Sequence, residues 1–335
     1  MPAFPQRNGA DLAAIVDHDY ARRHRALALK HAERFVSRVA LFVGAFVLAF
    51  GRTPAFAAEI IAAPSSFAAA GARLAYTTFG TGRVVVVLAG GPGLNAAYMI
   101  PLARTIAKAG YRAVLLDQRG TGGSVAAGRD RAQLTDRGTV ADIEALRVAL
   151  HEARLRFVTH SFGGGMALAY AAAHPTRVAN MVLIGSVGTD LSTVDRFGAI
   201  LMTHLSAVER KSYAAAQRAG NDAKALDIQL LAEFDDRTKA RATIAAEPQP
   251  FIYPAVSAAI YADFTKAYRV GPALAAVRAP VTLLTGSDDA ARAMEASLRA
   301  AFPHAHRVYI ARSGHWPWIE NPVDFDAALA TALKR

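Results

Sequence analysis

Thr159-His160-Ser161-Phe162-Gly163-Gly164 is the stretch that decides the fold of this 335-residue chain. It follows a strand-like run, 156–158, and precedes a helix-like run of small residues, 165–171. A serine with small residues two positions before and after it, between a strand and a helix, is typical of a nucleophile elbow. That sharp turn strains the serine backbone and places the helix N-terminus where it stabilises negative charge. The stretch predicts a nucleophilic Ser161, although Thr159 stands where the stricter pattern has glycine.

Other candidate strands also end at loops that contain glycines or potential catalytic residues. Residues 84–88 are continuously apolar, as in a fully buried strand, and lead into the glycine loop 89–93. Two later strand-like runs end shortly before Asp289 and His315. Because parallel strands present their carboxyl ends at one edge of a sheet, Ser161, Asp289 and His315 are expected to converge there. Their order along the chain, serine then acid then histidine, is that of the α/β-hydrolase triad.

At these loops the chain resembles the α/β-hydrolase superfamily, and within it the proline-iminopeptidase-like group. The loop 89–93 is similar to that group's His-Gly-Gly-Pro-Gly loop, with Ala89 in place of the histidine. Residues 117–124 resemble its Asp-Gln-Arg-Gly-x-Gly-x-Ser segment, and 313–322 resemble the superfamily's histidine loop. The resemblance implies an α/β fold with a mainly parallel sheet, helices on both faces and a helical lid insertion.

Composition and patterning agree with this organisation. Hydrophobic residues make up 53% of the chain, and strand-like runs alternate with helix-like runs, as in a parallel sheet covered on both faces. We expect the first part of the core at 59–188, a helical lid at 189–278 and the second part of the core at 279–335. Lids exclude water and shape the pocket, so substrate choice should reside there. Four lid aromatics are candidates either for the pocket or for ordinary packing: Phe251, Tyr253, Tyr261 and Phe264.

Residues 1–58 have the pattern of a signal peptide. An unbroken apolar run of 12 residues, 39–50, is too short for an ordinary membrane-spanning helix. Basic residues precede it, and Ala55-Phe56-Ala57 follows it as a small-x-small cleavage site. The pattern predicts export to the periplasm or the medium, with cleavage near Ala57. The alternative is an uncleaved anchor that associates the protein with a membrane.

The charge and the cysteine content limit which binding partners and which chemistry the chain can have. The chain has no cysteine, which excludes disulfides and thiol chemistry. Its net charge is +11 at pH 7, and residues 1–58 hold +4 of this, with eight Lys/Arg and four Asp/Glu. The basic residues are scattered and accompany no nucleic-acid-binding motif, so no nucleic-acid partner is expected. No histidine and carboxylate cluster has metal-ligand spacing, and we expect neither a metal nor another cofactor.

The expected site roles follow from the triad order and the resemblance. His315 would take the Ser161 proton and pass it to the leaving group, while Asp289 orients the imidazole. The adjacent Asp288 competes with Asp289, and the family position, three residues after Gly286, favours Asp289. The backbone N–H groups of Gly91 and Phe162 are the expected oxyanion-hole donors. We expect a structural role for His160, whose side chain should point away from the serine's.

Three functions remain open from the sequence. The first is a serine hydrolase that cleaves a small amide or the N-terminal residue of a short peptide. Such an aminopeptidase needs lid carboxylates to bind the substrate ammonium group. The second is an esterase, lactonase or carbon–carbon bond hydrolase with the same triad. The third is a non-catalytic binding protein on this fold. The candidate lid carboxylates, which a charged helix face also explains, are Glu209, Asp227, Glu233, Asp235 and Asp236.

Overall fold

Eight strands form one sheet in the part of the chain that the structure, a computed structural model, describes, namely residues 62–247 and 249–335. In chain order the strands are β1 Ala62–Ala69, β2 Ala72–Phe79, β3 Arg83–Leu88, β4 Tyr111–Leu116, β5 Leu155–His160, β6 Val178–Ile184, β7 Val281–Gly286 and β8 His306–Ile310. The predicted signal peptide or anchor, 1–58, lies outside these residues. Within them, no helix has the length and apolar character needed to cross a membrane.

The order of the strands creates a crevice at the centre of the sheet. It reads β1-β2-β4-β3-β5-β6-β7-β8, with β3 to β8 parallel and the β1-β2 hairpin antiparallel at one edge. The chain moves from β3 outward to β4, then returns to place β5 on the other side of β3. Ligand sites of open parallel sheets lie outside the strand carboxyl ends at such a reversal. Here that point joins the loop after β3 to the turn after β5.

Helices cover both faces of the sheet, which is why its central strands are apolar on both sides. In β3, Val84 and Val86 belong to one buried cluster, whereas Val85 and Val87 belong to the cluster on the opposite face. The α-helices of the described residues are α1 Ile100–Lys108, α2 Asp136–Ala149, α3 Phe162–Ala173, α4 Val194–His204, α5 Ala207–Arg218, α6 Asp222–Glu233, α7 Arg237–Ala246, α8 Pro254–Ala267, α9 Glu295–Ala301, α10 Pro317–Glu320 and α11 Pro322–Leu333.

Helices α4 to α8 all lie in the insertion between β6 and β7. Their starts follow capping chemistry: Ser206 and Glu209 form a reciprocal capping box at α5, and the Asn221 side chain caps α6. The insertion falls where the sequence predicts a helical lid. Short 3-10 helices occupy Ala96–Met99, Gly122–Arg129, Arg131–Gln133, Pro175–Arg177, Ala273–Ala276 and Ala290–Met294.

The observed architecture confirms the predicted fold class of a mainly parallel sheet with helices on both faces. Helix α2 ends at Ala149, because Leu150 caps it and His151 has a φ of 56°. The β1-β2 hairpin is not expected from the sequence, since β1 consists mainly of alanine and serine and most of it is exposed.

Candidate active site

The backbone at Ser161 makes the sharp turn that the elbow pattern predicts. Ser161 lies between His160, the last residue of β5, and Phe162, the first residue of α3. Its φ of 54° and ψ of −121° are unfavourable for a residue with a side chain. The turn is held because the Ser161 N–H donates to the Ile184 carbonyl and the Ser161 carbonyl accepts the Gly164 N–H, both over 2.9 Å.

Packing explains which neighbours of Ser161 must be small. A Cβ at Gly163 would collide with the Leu88 carbonyl and would lie 2.6 Å from the Ala89 oxygen. Glycine is therefore required at that position. Thr159 is still within regular strand, paired with Leu88 of β3 and Leu183 of β6, where a β-branched residue fits well. The departure from the strict elbow pattern thus costs nothing sterically.

His315 and Asp289 form a buried hydrogen-bonded pair. The His315 Nδ1 atom lies 2.9 Å from Oδ1 and 3.0 Å from Oδ2 of Asp289, and the side chains are 3% and 0% exposed. Because a carboxylate only accepts, Nδ1 carries a hydrogen and Nε2 is left to take a proton. The adjacent Asp288 is exposed and accepts the Ser287 hydroxyl instead. Of the two aspartates, the structure places Asp289 against the histidine.

The electrostatic surroundings of His315 favour its protonated form. Burial lowers the pKa of His315, but the charge and hydrogen bond of Asp289 outweigh this effect. With further contributions from Glu233 and Glu320, the pKa of His315 rises to about 9. Because of this raised pKa, His315 binds a proton tightly after it has accepted one.

Two backbone donors beside Ser161 have no hydrogen-bond partner among the described residues. They are the N–H groups of Phe162, at the start of α3, and of Gly91, in the loop after β3. The neighbouring N–H of Gly90 is already bonded to the Tyr98 hydroxyl over 2.6 Å. Gly91 has a φ of 115°, which strongly favours glycine at this point of the loop. The two expected donors therefore remain available to a ligand.

A cavity of about 640 Å³ lies between this edge of the sheet and the insertion helices. Its volume is typical of pockets for small organic ligands. Ser161, His315 and Gly91 line it from the core side, and no lysine or arginine of the described ranges lines it. The insertion contributes mainly apolar side chains, among them Leu191, Val194, Phe197, Leu201, Leu226 and Leu230.

Glu233, at the end of α6, brings a carboxylate to this cavity. It is 7% exposed, and its two oxygens accept from Gln229 Nε2 over 2.8 Å and Trp316 Nε1 over 2.9 Å. Its backbone carbonyl accepts the His315 N–H over 2.6 Å. Of the five lid carboxylates considered from the sequence, Glu233 lines the cavity and the other four do not: Glu209, Asp227, Asp235 and Asp236.

The lid aromatics divide in the same way. Tyr261 lines the cavity, whereas Phe251 and Phe264 are buried in the hydrophobic core and the Tyr253 hydroxyl accepts the Gly122 N–H. Asp195, exposed on α4, also lines the cavity and was not foreseen. Among the described residues, no three histidine or carboxylate side chains are grouped closely enough to hold a metal ion.

Comparison with known proteins places these features in a family. Residues 83–322 match the family described as "alpha/beta hydrolase fold". A proline iminopeptidase of Xylella fastidiosa is 42% identical over 118 residues, which cover 34% of this chain and 36% of that protein. The matched segment thus spans about a third of that relative's length.

Two further relatives match over most of their length. A 2-hydroxy-6-oxononadienedioate/2-hydroxy-6-oxononatrienedioate hydrolase of Paraburkholderia xenovorans is 28% identical over 284 residues, covering 78% of this chain and 90% of that protein. The solved structure of a proline iminopeptidase-related protein of Thermus thermophilus has a TM-score of 0.64 at 24% identity, covering 82% and 98%. The chain belongs to the α/β-hydrolase family and is similar, over about a third of its length, to a proline iminopeptidase.

Proposed function

We propose that the protein is a serine hydrolase that forms an acyl-enzyme on Ser161 and cleaves small amides or short peptides with a free amino group. The observation that carries the chemistry is the buried His315–Asp289 pair, whose histidine lines the same cavity as the strained elbow serine. Such a pair activates a serine by accepting its proton.

In the proposed reaction, the Ser161 oxygen attacks the substrate carbonyl carbon while His315 Nε2 takes the hydroxyl proton. The N–H groups of Gly91 and Phe162 stabilise the resulting oxyanion, and losing one such donor typically costs about 3 kcal/mol of transition-state stabilisation. His315 then gives the proton to the leaving nitrogen as the C–N bond breaks. Water, deprotonated by His315, releases the acyl group from Ser161.

The charge of the cavity supports a substrate amine. Glu233 is a buried carboxylate whose charge reaches His315, so it lies near the proposed reacting atoms. A substrate ammonium beside it would gain a charge-assisted hydrogen bond. A dioate, which the Paraburkholderia relative's name indicates, would need cationic partners instead, and no lysine or arginine of the described residues lines this cavity. The runner-up is ester or lactone hydrolysis, which the largely apolar lining also suits.

The nucleophile is tested with a fluorophosphonate probe. Wild type is expected to be labelled at Ser161, and Ser161→Ala is expected to lose both labelling and turnover. Ser257→Ala is the matched control, since Ser257 lines the same cavity from α8. Equal labelling of wild type and Ser161→Ala would remove Ser161 from the mechanism.

The substrate class is tested with aminoacyl-arylamides, their N-acetylated counterparts and simple acyl esters. Glu233→Gln is expected to raise KM about 10-fold or more for substrates with a free amine, as loss of a charge-assisted hydrogen bond implies. The KM values for the acetylated substrates and the esters should not change. Asp227→Asn, an exposed carboxylate on the same helix, is the control. Rapid ester turnover without any arylamide turnover would establish the runner-up.

A further inference from the structure

The side chain of His160, which immediately precedes Ser161, connects three loops of the site. It is 2% exposed at the end of β5. Its Nδ1 atom lies 2.8 Å from the Tyr98 hydroxyl, and its Nε2 atom lies 3.0 Å from the His315 carbonyl oxygen. Its ring centre is 4.5 Å from that of His315. The residue expected to be merely structural therefore contacts the backbone of the proposed base.

The partners of the ring determine where its hydrogen lies. Burial lowers the pKa of His160 well below its ordinary value, and the charge of His315 lowers it further, so the ring is neutral. A carbonyl oxygen can only accept, so Nε2 carries the hydrogen and donates it to His315. The Nδ1 atom then accepts from Tyr98, whose phenol stays protonated because burial raises its pKa.

Tyr98 continues this connection into the loop after β3. Its hydroxyl accepts the Gly90 N–H over 2.6 Å while donating to His160. A Cβ at Gly90 would lie 3.1 Å from both the Ser161 Cβ and the Tyr98 hydroxyl, so the loop packs directly on the serine. With the Gly90 N–H occupied, the next donor along the loop, the Gly91 N–H, is the one left for the oxyanion.

We propose that Tyr98 and His160 are positioning residues that hold the oxyanion loop and the His315 backbone in fixed relation to Ser161. This inference rests on the proposed function. Three hydrogen bonds join Gly90, Tyr98, His160 and His315, and all three lie in a buried, aromatic environment that includes Trp316 and Trp318. His160 lines the cavity, but in this role neither side chain exchanges a proton with the substrate. The pair keeps the donor and the base at their positions while charge develops.

The first test replaces one hydroxyl group. Tyr98→Phe keeps the ring but leaves Gly90 and His160 without their partner, and kcat is expected to fall about 10-fold with KM within twofold. Tyr170→Phe is the matched control, because Tyr170 is equally buried and its hydroxyl donates to Glu144 outside the cavity. The control should keep wild-type kcat even if its melting temperature falls by a similar amount. Equal kcat losses in the two variants would overturn the positioning role.

The second test asks whether the link to His315 can be restored. His160→Gln retains an amide N–H for the His315 carbonyl, whereas His160→Ala retains none. We expect the alanine variant to lose at least fivefold more kcat than the glutamine variant, and fluorophosphonate labelling of Ser161 to slow in the same order. Identical rates in both variants would contradict the proposal. If wild type itself were neither labelled nor active, the proposed function would fail instead.

A third readout needs no turnover. Nitrogen-15 NMR of the imidazoles in Ser161→Ala is expected to show His160 neutral, with its hydrogen on Nε2, between pH 5 and 8. Tyr98→Phe in the same background should move the Nδ1 resonance toward that of an acceptor without a hydrogen bond. A hydrogen on Nδ1, or a cationic ring at pH 7, would refute the proposed arrangement whether or not the enzyme is active.

Discussion

Gly185, the residue after β6, lies against the His315–Asp289 pair. A Cβ there would lie 2.7 Å from Asp289 Oδ2 and 2.8 Å from His315 Nδ1, and the residue has a φ of 50°. The pair can therefore close its hydrogen bond only because this position has no side chain. The hydrogen bond between His315 and Asp289 thus depends on the absence of a side chain at Gly185.

Gly185→Ala is accordingly expected to lower kcat/KM at least 100-fold, because the new methyl group must displace one partner of the hydrogen bond. Gly71→Ala is the control, since Gly71 also has a positive φ, 74°, but no other atom of the described residues lies within 4 Å of the added carbon. Both variants should lose roughly 1 kcal/mol of stability from the backbone conformation. Comparable activity of the two variants would show that the pair tolerates the methyl group. Activity assays and urea unfolding provide the two measurements.

At this scale the sequence predicts the residues that follow strands and misses those that reach the site from elsewhere. Ser161, Asp289 and His315 are recognisable because each stands in a loop after a strand. Tyr98 has no such signal: it lies in a 3-10 helix and meets the site only through hydrogen bonds to Gly90 and His160. A contact across 62 residues leaves no local pattern in the chain.

Glu320, the last residue of the short helix α10, joins the histidine loop to the insertion. One of its oxygens accepts the Gly314 N–H over 2.7 Å, and the other accepts the Asp236 N–H, which precedes α7, over 2.9 Å. The His315 N–H donates to Glu233, at the end of α6, across the same junction. The segment between α6 and α7 is thereby fastened to the loop that carries the proposed base.

Glu320→Gln is expected to destabilise this junction. Both oxygens of Glu320 accept backbone N–H groups, whereas the amide nitrogen of glutamine can only donate, so one of the two hydrogen bonds is lost. Burial raises the pKa of Glu320 to about 7, so the carboxyl is ionised above that pH, where the loss of one hydrogen bond to a charged acceptor corresponds to about 2 kcal/mol. We expect kcat/KM to fall about 10-fold, with faster amide hydrogen exchange in the segment between α6 and α7. Glu295→Gln is the control, a buried glutamate on α9 that accepts the Tyr309 hydroxyl. Unchanged exchange in that segment would exclude the fastening role of Glu320.

Elements differ in how far the sequence predicts them. Strands such as β3 and β7 are continuous apolar runs, and helices α5 and α6 carry clear start signals, so their existence follows from local patterns. The orientation of the insertion helices does not. The five candidate lid carboxylates look alike in the sequence, and packing alone decides that Glu233, rather than the other four, lines the cavity.

Over the whole molecule, the raised pKa of His315 couples stability and activity to pH in opposite directions. The folded pKa is about 9, whereas the ordinary histidine value is 6.5. The pairing with Asp289 therefore contributes its full stabilisation below pH 6.5, and this contribution is lost as the pH rises through 9. A difference of this size corresponds to roughly 3 kcal/mol. Activity requires neutral His315, so it should increase over the same pH range.

Unfolding in urea and kcat/KM, each measured from pH 6 to 10, are expected to show these opposite trends in the wild-type protein. Asp289→Asn removes the carboxylate that raises the pKa, so it should flatten the histidine contribution to stability and move the acidic limb of kcat/KM to lower pH. Its maximal activity should also fall, because the amide does not stabilise the imidazolium. Asp288→Asn, one residue away and exposed, should leave both profiles unchanged. If Asp289→Asn kept the wild-type limb, the group that titrates in catalysis would not be His315 paired with this aspartate.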